Sequence, residues 1–305
     1  MKVLTVIGTR PQLIKLSSVS NCIKRTNINE IIVNTGQHYD FNMSDIFLKE
    51  LKIPKPKYNL NVKKSSSIHQ ISEMIVKLNS IINKEKPDKI LVYGDTNSTL
   101  AGAMSASKLN IPVAHIEAGL RSYNKNMSEE INRIMTDHMS EVLFCPSDQS
   151  KNNLNKENIV DKVYVVGDVM YDLFLKYKEN FNNNNNYGDY CLLTLHRAEN
   201  TKKEVLEKRI KQIGEIDIKA IFPIHPRTKK VLDHFSISLP KNINVIEPLG
   251  WFELMNLVKY SKFVITDSGG LQKEVFWHNK FCFTLRNETE WTETIKLKKN
   301  ILVEE

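Results

Sequence analysis

The chain has 305 residues, of which 41% are apolar and 26% charged, with a formal net charge of +8. That length exceeds what one hydrophobic core usually serves and predicts two domains, while the composition excludes the fibrous and disordered classes. The longest apolar runs, such as Lys89–Tyr93, have strand length and fall far short of the roughly 20 residues of a membrane span, so no membrane partner is expected.

The N-terminus enters a strand pattern at once, over Val3–Gly8, without the small-residue cleavage site of a signal peptide, which predicts a cytoplasmic protein. A helix is expected from about Leu13, a strand at Ile31–Asn34, a helix over about Ile68–Lys84 and a strand at Lys89–Tyr93. A helix over about Ser98–Leu109 and strands at Val113–Ile116, Val142–Cys145 and Val163–Val166 follow. The asparagine run Asn182–Asn186 can bury no apolar area and reads as a surface loop near a domain boundary. Beyond it, strands are expected at Cys191–Leu195, Ala220–Pro223, Asn244–Ile246, Phe263–Thr266 and Phe281–Leu285, with helices over about Lys203–Ile213 and Phe252–Tyr260. Such alternation requires parallel sheets covered on both faces, hence an α/β protein of two doubly wound domains facing a cleft, 1–180 and 181–305.

Cys22, Cys145, Cys191 and Cys282 form no C-x-x-C pair and read as buried free thiols, which argues against a disulfide framework and against a metal. The excess positive charge is mostly lysine on helical stretches such as Lys202-Lys203-Glu204. It reads as solvated surface, and without a DNA- or RNA-binding motif no nucleic-acid partner is expected.

Ligands of open parallel sheets bind beyond the carboxyl ends of the strands, so those positions carry the chemistry. The first strand ends in Gly8-Thr9-Arg10-Pro11-Gln12, with Lys15 a helical turn on. Neither G-x-G-x-x-G nor the Walker pattern is present, but a glycine turn, an arginine and a helix start suit a diphosphate neutralised by Arg10 and Lys15. Asp95, in Gly94-Asp95-Thr96, fits either a helix cap or a site carboxylate. In His115-Ile116-Glu117 strand alternation puts His115 and Glu117 on one face, pointing into a single pocket. Glu129 and Arg133 stand at i, i+4 on one face of an expected helix. In the second half, strand ends supply His196-Arg197, His225-Pro226-Arg227 and Asp267-Ser268-Gly269-Gly270, the last a second anion cradle, with Glu274 one turn on. Acids from one half and phosphate-binding loops from both predict an enzyme.

Together, Gly8-Thr9-Arg10-Pro11-Gln12, Gly36-Gln37-His38, Gly94-Asp95-Thr96, His115-Ile116-Glu117-Ala118-Gly119-Leu120-Arg121, Glu129-Glu130-Ile131-Asn132-Arg133 and Thr266-Asp267-Ser268-Gly269-Gly270 resemble the non-hydrolysing UDP-N-acetylglucosamine 2-epimerases, in order along essentially the whole chain. The resemblance implies two Rossmann-like domains of the glycosyltransferase-B type, a homodimer, a UDP-sugar substrate and neither metal nor cofactor. It implies removal of the C2 proton, expulsion of UDP to leave a 2-acetamidoglucal, and re-addition with the proton on the opposite face. It implies Asp95, Glu117 and Glu129 around the sugar with Arg133 close to Glu129, and diphosphate ligands Arg10, Lys15, His196, Ser268, Gly269 and Gly270. His225 is implied near the nucleotide and Glu274 on the ribose.

Gln12, where the family has glutamate, and Trp291, where many members have arginine, look more like a branch that epimerises UDP-2,3-diacetamido-glucuronic acid. The residues after Gly36-Gln37-His38 also differ from the pattern tied to allosteric regulation in some members, so that regulation is not expected. The chain stops at Glu305, before the C-terminal helix that in the family crosses back onto the first domain, and that helix is expected to be missing. A UDP-sugar glycosyltransferase shares the architecture and is the rival enzyme reading.

Overall fold

The computed structural model describes residues 1–37, 48, 50–62, 66–182 and 187–303. His38, most of the asparagine run (Asn183–Asn186) and Glu305, on which expectations rested, lie outside the described residues. The chain divides into two compact units, Met1–Leu175 and Lys176–Glu305.

In the first unit seven strands form one sheet: β1 (Lys2–Ile7), β2 (Asn29–Asn34), β3 (Tyr58–Asn59), β4 (Lys89–Tyr93), β5 (Val113–Ile116), β6 (Val142–Cys145) and β7 (Val163–Val165). Their order is β3-β2-β1-β4-β5-β6-β7, and every pair is parallel. Parallel neighbours need crossovers. These are built on helices α1 (Arg10–Ile23), α2 (Ser67–Glu85), α3 (Asn97–Lys108), α4 (Ser128–Met139) and α5 (Asp148–Lys156), after which α6 (Val169–Tyr177) begins. Leu4, Val6, Val33, Ile90 and Val92 of the sheet pack on Met74, Leu78 and Ile82 of α2 and on Ala101, Ala103 and Ala106 of α3. The small residues of α3 let it lie close to the sheet: a Cβ on Gly102 would stand 2.9 Å from Val92 Cγ1.

The second unit carries β8 (Tyr190–Thr194), β9 (Lys219–Pro223), β10 (Ile243–Ile246), β11 (Phe263–Thr266), β12 (Phe281–Thr284) and β13 (Asn300–Leu302), in the order β10-β9-β8-β11-β12-β13 and all parallel. Its helices are α7 (Lys203–Gly214), α8 (Pro226–Phe235), α9 (Trp251–Tyr260), α10 (Gly269–Trp277) and α11 (Thr292–Lys296). In both units the strand order reverses beside the first strand, between β1 and β4 and between β8 and β11. Such a reversal splays the flanking loops apart and opens a crevice at the carboxyl ends of those two strands.

The elements with strong apolar periodicity stand where the sequence puts them, within a residue or two, except that α1 begins at Arg10 rather than near Leu13. The short ones carry little signal. Strand β3 has two residues, and the buried side of α5 is Ser150, Asn153 and Leu154, which offers no apolar stripe to read. Of the cysteines expected to be buried, Cys145, Cys191 and Cys282 are, whereas Cys22 is exposed near the end of α1, where the helix turns away from the sheet into solvent.

Candidate active site

Three loops meet at the first crevice, following β1, β4 and β5. The β1 loop is held from below. Gln12, wholly buried, accepts from the Gly8 and Thr9 amides at 2.8 and 3.1 Å and donates to the Tyr93 carbonyl at 2.9 Å. A neutral amide suits this place because it must accept on one side and donate on the other. Arg10 opens α1 and Lys15 lies one turn later, buried, its ammonium donating to the Glu117 carboxylate. Gly94 sits above that pair with φ of +63°, and a Cβ there would lie 3.0 Å from Glu117 Oε2 and 3.2 Å from Lys15 Nζ. Only glycine allows both the conformation and the approach.

Burial pushes the Glu117 carboxyl above the usual range; Lys15 opposes this, while Asp168 and Asp95 push it further up. Burial alone would lower the Lys15 ammonium, but Glu117, Asp95 and Asp168 outweigh it and hold the group above its ordinary value. The effect of Asp168 on both members of the pair was not anticipated. Asp168 also caps α6, its Oδ1 accepting from the Met170 amide at 2.9 Å.

Two sequence expectations are corrected here. His115 and Glu117 do not point into one pocket, because Glu117 adopts a left-handed φ of +72° and leaves the alternation of β5. His115 is instead wholly buried between the Gly94 carbonyl and Asp137, 2.7 Å from each. Arg133 pairs not with Glu129 but with Glu130, one turn away at 2.6 Å, and with the Asp95 carboxylate. Glu130 is buried and also accepts from the Ser122 and Tyr123 amides at 2.9 and 2.8 Å, so it braces the loop that leads into α4. Glu129 is half-buried, with Ser128 Oγ donating to it at 3.2 Å. Helix α4 is inverted: its buried residues are Glu130, Asn132, Arg133, Thr136 and Asp137, while Ile131 and Met135 are exposed. The buried polar face holds the Asp95 loop, Asn132 donating to the Asp95 carbonyl at 2.9 Å.

At the second unit's crevice Asp267, wholly buried at the end of β11, accepts from the His196 and Arg197 amides at 2.9 and 2.8 Å. The His196 ring presents Nδ1 to the same carboxylate at 3.0 Å. Burial would raise the Asp267 carboxyl, but the His196 contact and the two amides hold it below the usual range. His225 caps α8 by accepting from the Arg227 amide at 3.1 Å, and its ring centroid is 5.5 Å from that of His196. Ser268 caps α10. A Cβ on Gly269 would strike Glu290 Oε1 at 2.6 Å, whereas one on Gly270 would meet nothing within 4 Å. A side chain at position 269 would therefore displace the end of Glu290, whereas Gly270 faces open space at a helix N-terminus. Glu274, one turn on, is buried and accepts from the Trp251 indole at 2.7 Å. Trp291 donates to the Gly269 carbonyl at 2.9 Å, and the Lys273 ammonium lies 3.9 Å above its ring. Among the described residues no group of His, Cys, Asp and Glu side chains is arranged to hold a metal, and no helix is long and apolar enough to cross a membrane.

Helix starts follow the strand ends at both crevices, and one crevice also holds a buried carboxylate–ammonium pair, an arrangement that suits an α/β enzyme acting on an anionic substrate. A family model for UDP-N-acetylglucosamine 2-epimerase matches residues 20–305. The chain is 49% identical to a UDP-N-acetylglucosamine 2-epimerase homolog of Methanococcus maripaludis, over 99% of this chain and 88% of the relative. It is 46% identical to the UDP-2,3-diacetamido-2,3-dideoxy-D-glucuronate 2-epimerase of Pseudomonas aeruginosa, with the same coverage. The crystal structure of Methanocaldococcus jannaschii UDP-GlcNAc 2-epimerase, in complex with UDP-GlcNAc and UDP, superposes with a TM-score of 0.95 at 45% identity, over 100% of this chain and 89% of that one. The chain belongs to the UDP-N-acetylglucosamine 2-epimerase family, and its fold is the α/β type of two Rossmann-like units that the resemblance implied.

Proposed function

We propose that the protein is a non-hydrolysing UDP-sugar 2-epimerase that interconverts UDP-N-acetylglucosamine and UDP-N-acetylmannosamine. The observation that carries this reading is the buried Glu117–Lys15 pair beneath Gly94 and beside Asp95. The C2 proton is weakly acidic, so its removal requires a base of raised basicity together with stabilisation of the departing phosphate. Glu117, held up by burial and by its acidic neighbours, is the base. As the C2–H electrons form the C1–C2 double bond, the C1–O bond breaks and its pair leaves with UDP, giving 2-acetamidoglucal. Re-addition returns the phosphate oxygen to C1 and a proton to C2 on the opposite face. Asp95, held by Arg133, and Glu129 are the carboxylates for that face.

Arg10 and Lys15 neutralise charge on the leaving diphosphate. His196, Ser268, Gly269 and Gly270 are its ligands in the second unit, His225 stands near the nucleotide and Glu274 takes the ribose. The family resemblance further supports a cytoplasmic homodimer, a division of labour between domains 1–180 and 181–305, and a place in polysaccharide biosynthesis.

A second substrate is favoured by the relative that acts on UDP-2,3-diacetamido-2,3-dideoxy-D-glucuronate and by Trp291, packed against the start of α10. A panel of UDP-sugars incubated in deuterium oxide and read by NMR for label at C2 tests both. Label in UDP-N-acetylglucosamine without any acceptor supports the first reading, and label only in the diacetamido-glucuronate supports the second. No label in any donor removes the epimerase reading and leaves an acceptor-dependent glycosyltransferase.

A further inference from the structure

Asp95 and Glu117 stand on different loops, after β4 and after β5, and one buried carboxylate is tied to both. Asp137 of α4 accepts from His115 Nδ1 at 2.7 Å, from the Gly119 amide at 3.1 Å and from Arg121 at 2.7 Å. Gly119 and Arg121 belong to the loop that carries Glu117. Arg121 is further clamped by Glu157, whose two oxygens accept from it at 2.7 and 2.8 Å. The second ring nitrogen of His115 lies 2.7 Å from the carbonyl oxygen of Gly94, the residue before Asp95. The two ring nitrogens of His115 thus bridge Asp137 and the Gly94 carbonyl and link the Asp95 loop to Asp137. His115 and Asp137 are completely enclosed, which rules out contact with substrate. Asp95 is also gripped by Arg133 from the same helix, and Glu130, Arg133 and Asp137 repeat at i, i+3, i+7 along its buried face.

We infer that His115 is a positioning residue: carried by β5, the strand that leads into Glu117, and oriented by Asp137, it holds the Gly94 carbonyl and so fixes the separation of Asp95 and Glu117. The inference rests on the epimerase reading above. Two acid–base groups serving opposite faces of one carbon tolerate little error in spacing, and misplacement of a catalytic group by about 1 Å costs on the order of a hundredfold in rate.

Two substitutions separate positioning from general stability, because glutamine mimics the imidazole Nε2 and asparagine mimics Nδ1. His115→Gln keeps the donor to Gly94, whereas His115→Asn keeps the donor to Asp137 and cuts the tether. In the full-length enzyme His115→Asn is expected to lower kcat on the order of a hundredfold with KM changed less than about threefold, and His115→Gln to recover at least about tenfold of that loss. Amide hydrogen exchange at Gly94 and Asp95 should quicken in His115→Asn and stay near wild type in His115→Gln, both variants being folded by thermal denaturation. Equal kcat in the two variants, or unchanged exchange at Gly94 in His115→Asn, overturns the inference. A wild-type protein that labels no UDP-sugar at C2 fails the epimerase reading instead, and the exchange comparison still decides whether the tether exists.

Discussion

The Lys15 ammonium rests on the Glu117 carboxylate under Gly94, in a site where both side chains are nearly closed off from water. The pairing makes the base and a diphosphate cation one coupled unit, since each governs the charge the other can carry. Removing the negative member releases Lys15 toward an anion. Glu117→Gln, which keeps an acceptor for Lys15, is therefore expected to reduce turnover at least about a hundredfold while UDP affinity holds or rises. Turnover assays with calorimetry check this, and near-wild-type turnover would remove Glu117 from the proton transfer.

Asp168 raises Glu117 without occupying its place. Replacing it with asparagine preserves the cap on α6, because the amide oxygen still accepts from Met170. Loss of its charge lowers the Glu117 carboxyl toward the ordinary range, so the base stays ionised to lower pH. The acidic limb of the kcat/KM profile of Asp168→Asn should accordingly move to lower pH. A limb that moves upward or stays put shows that Asp168 does not act on the base.

Gly269 and Gly270 are adjacent and chemically identical, yet only at the first would a methyl group meet a neighbour, the Glu290 carboxylate. Gly270→Ala adds a methyl group in open space within a helix, where alanine is better than glycine by up to about 1 kcal/mol, so the melting temperature should hold or rise. If a diphosphate approaches this helix start, the methyl group obstructs it and UDP affinity falls at least about tenfold. Calorimetry showing unchanged affinity would place the anion elsewhere.

Asp267 ties the ends of β8 and β11 together through two amides and the His196 ring. Asp267→Asn keeps the shape and removes the charge, which should cost about 2 kcal/mol in urea denaturation at neutral pH. The carboxyl is held below its ordinary value in the fold, so its contribution is present above the usual carboxylate range and is lost as pH falls through the folded value. The gap between wild type and Asp267→Asn should thus close in acid; a gap constant with pH would mean that charge is not what matters there.

Sequence alone determined the α/β alternation, because each buried parallel strand must be an apolar run and each crossover helix must present an apolar stripe, as at Lys89–Tyr93 and Ser67–Glu85. It also marked the strand ends, where glycine, serine and cationic residues break the apolar pattern at Gly8–Arg10 and Asp267–Gly270. The partners of those residues were decided only in three dimensions. Glu129 and Glu130 both fall within reach of Arg133 along a helix, and the choice of Glu130 follows from α4 turning its polar side inward, a face whose i, i+3, i+7 spacing was written in the sequence without its direction. His115 and Glu117 diverge because one residue, Glu117, takes a left-handed backbone that no alternation rule foresees. Asp168 acts on Lys15 and Glu117 from far along the chain. Periodicity reports which face of an element is apolar, but electrostatic influence depends on distance through space, and that distance is set by strand order and loop conformation once the whole sheet has formed.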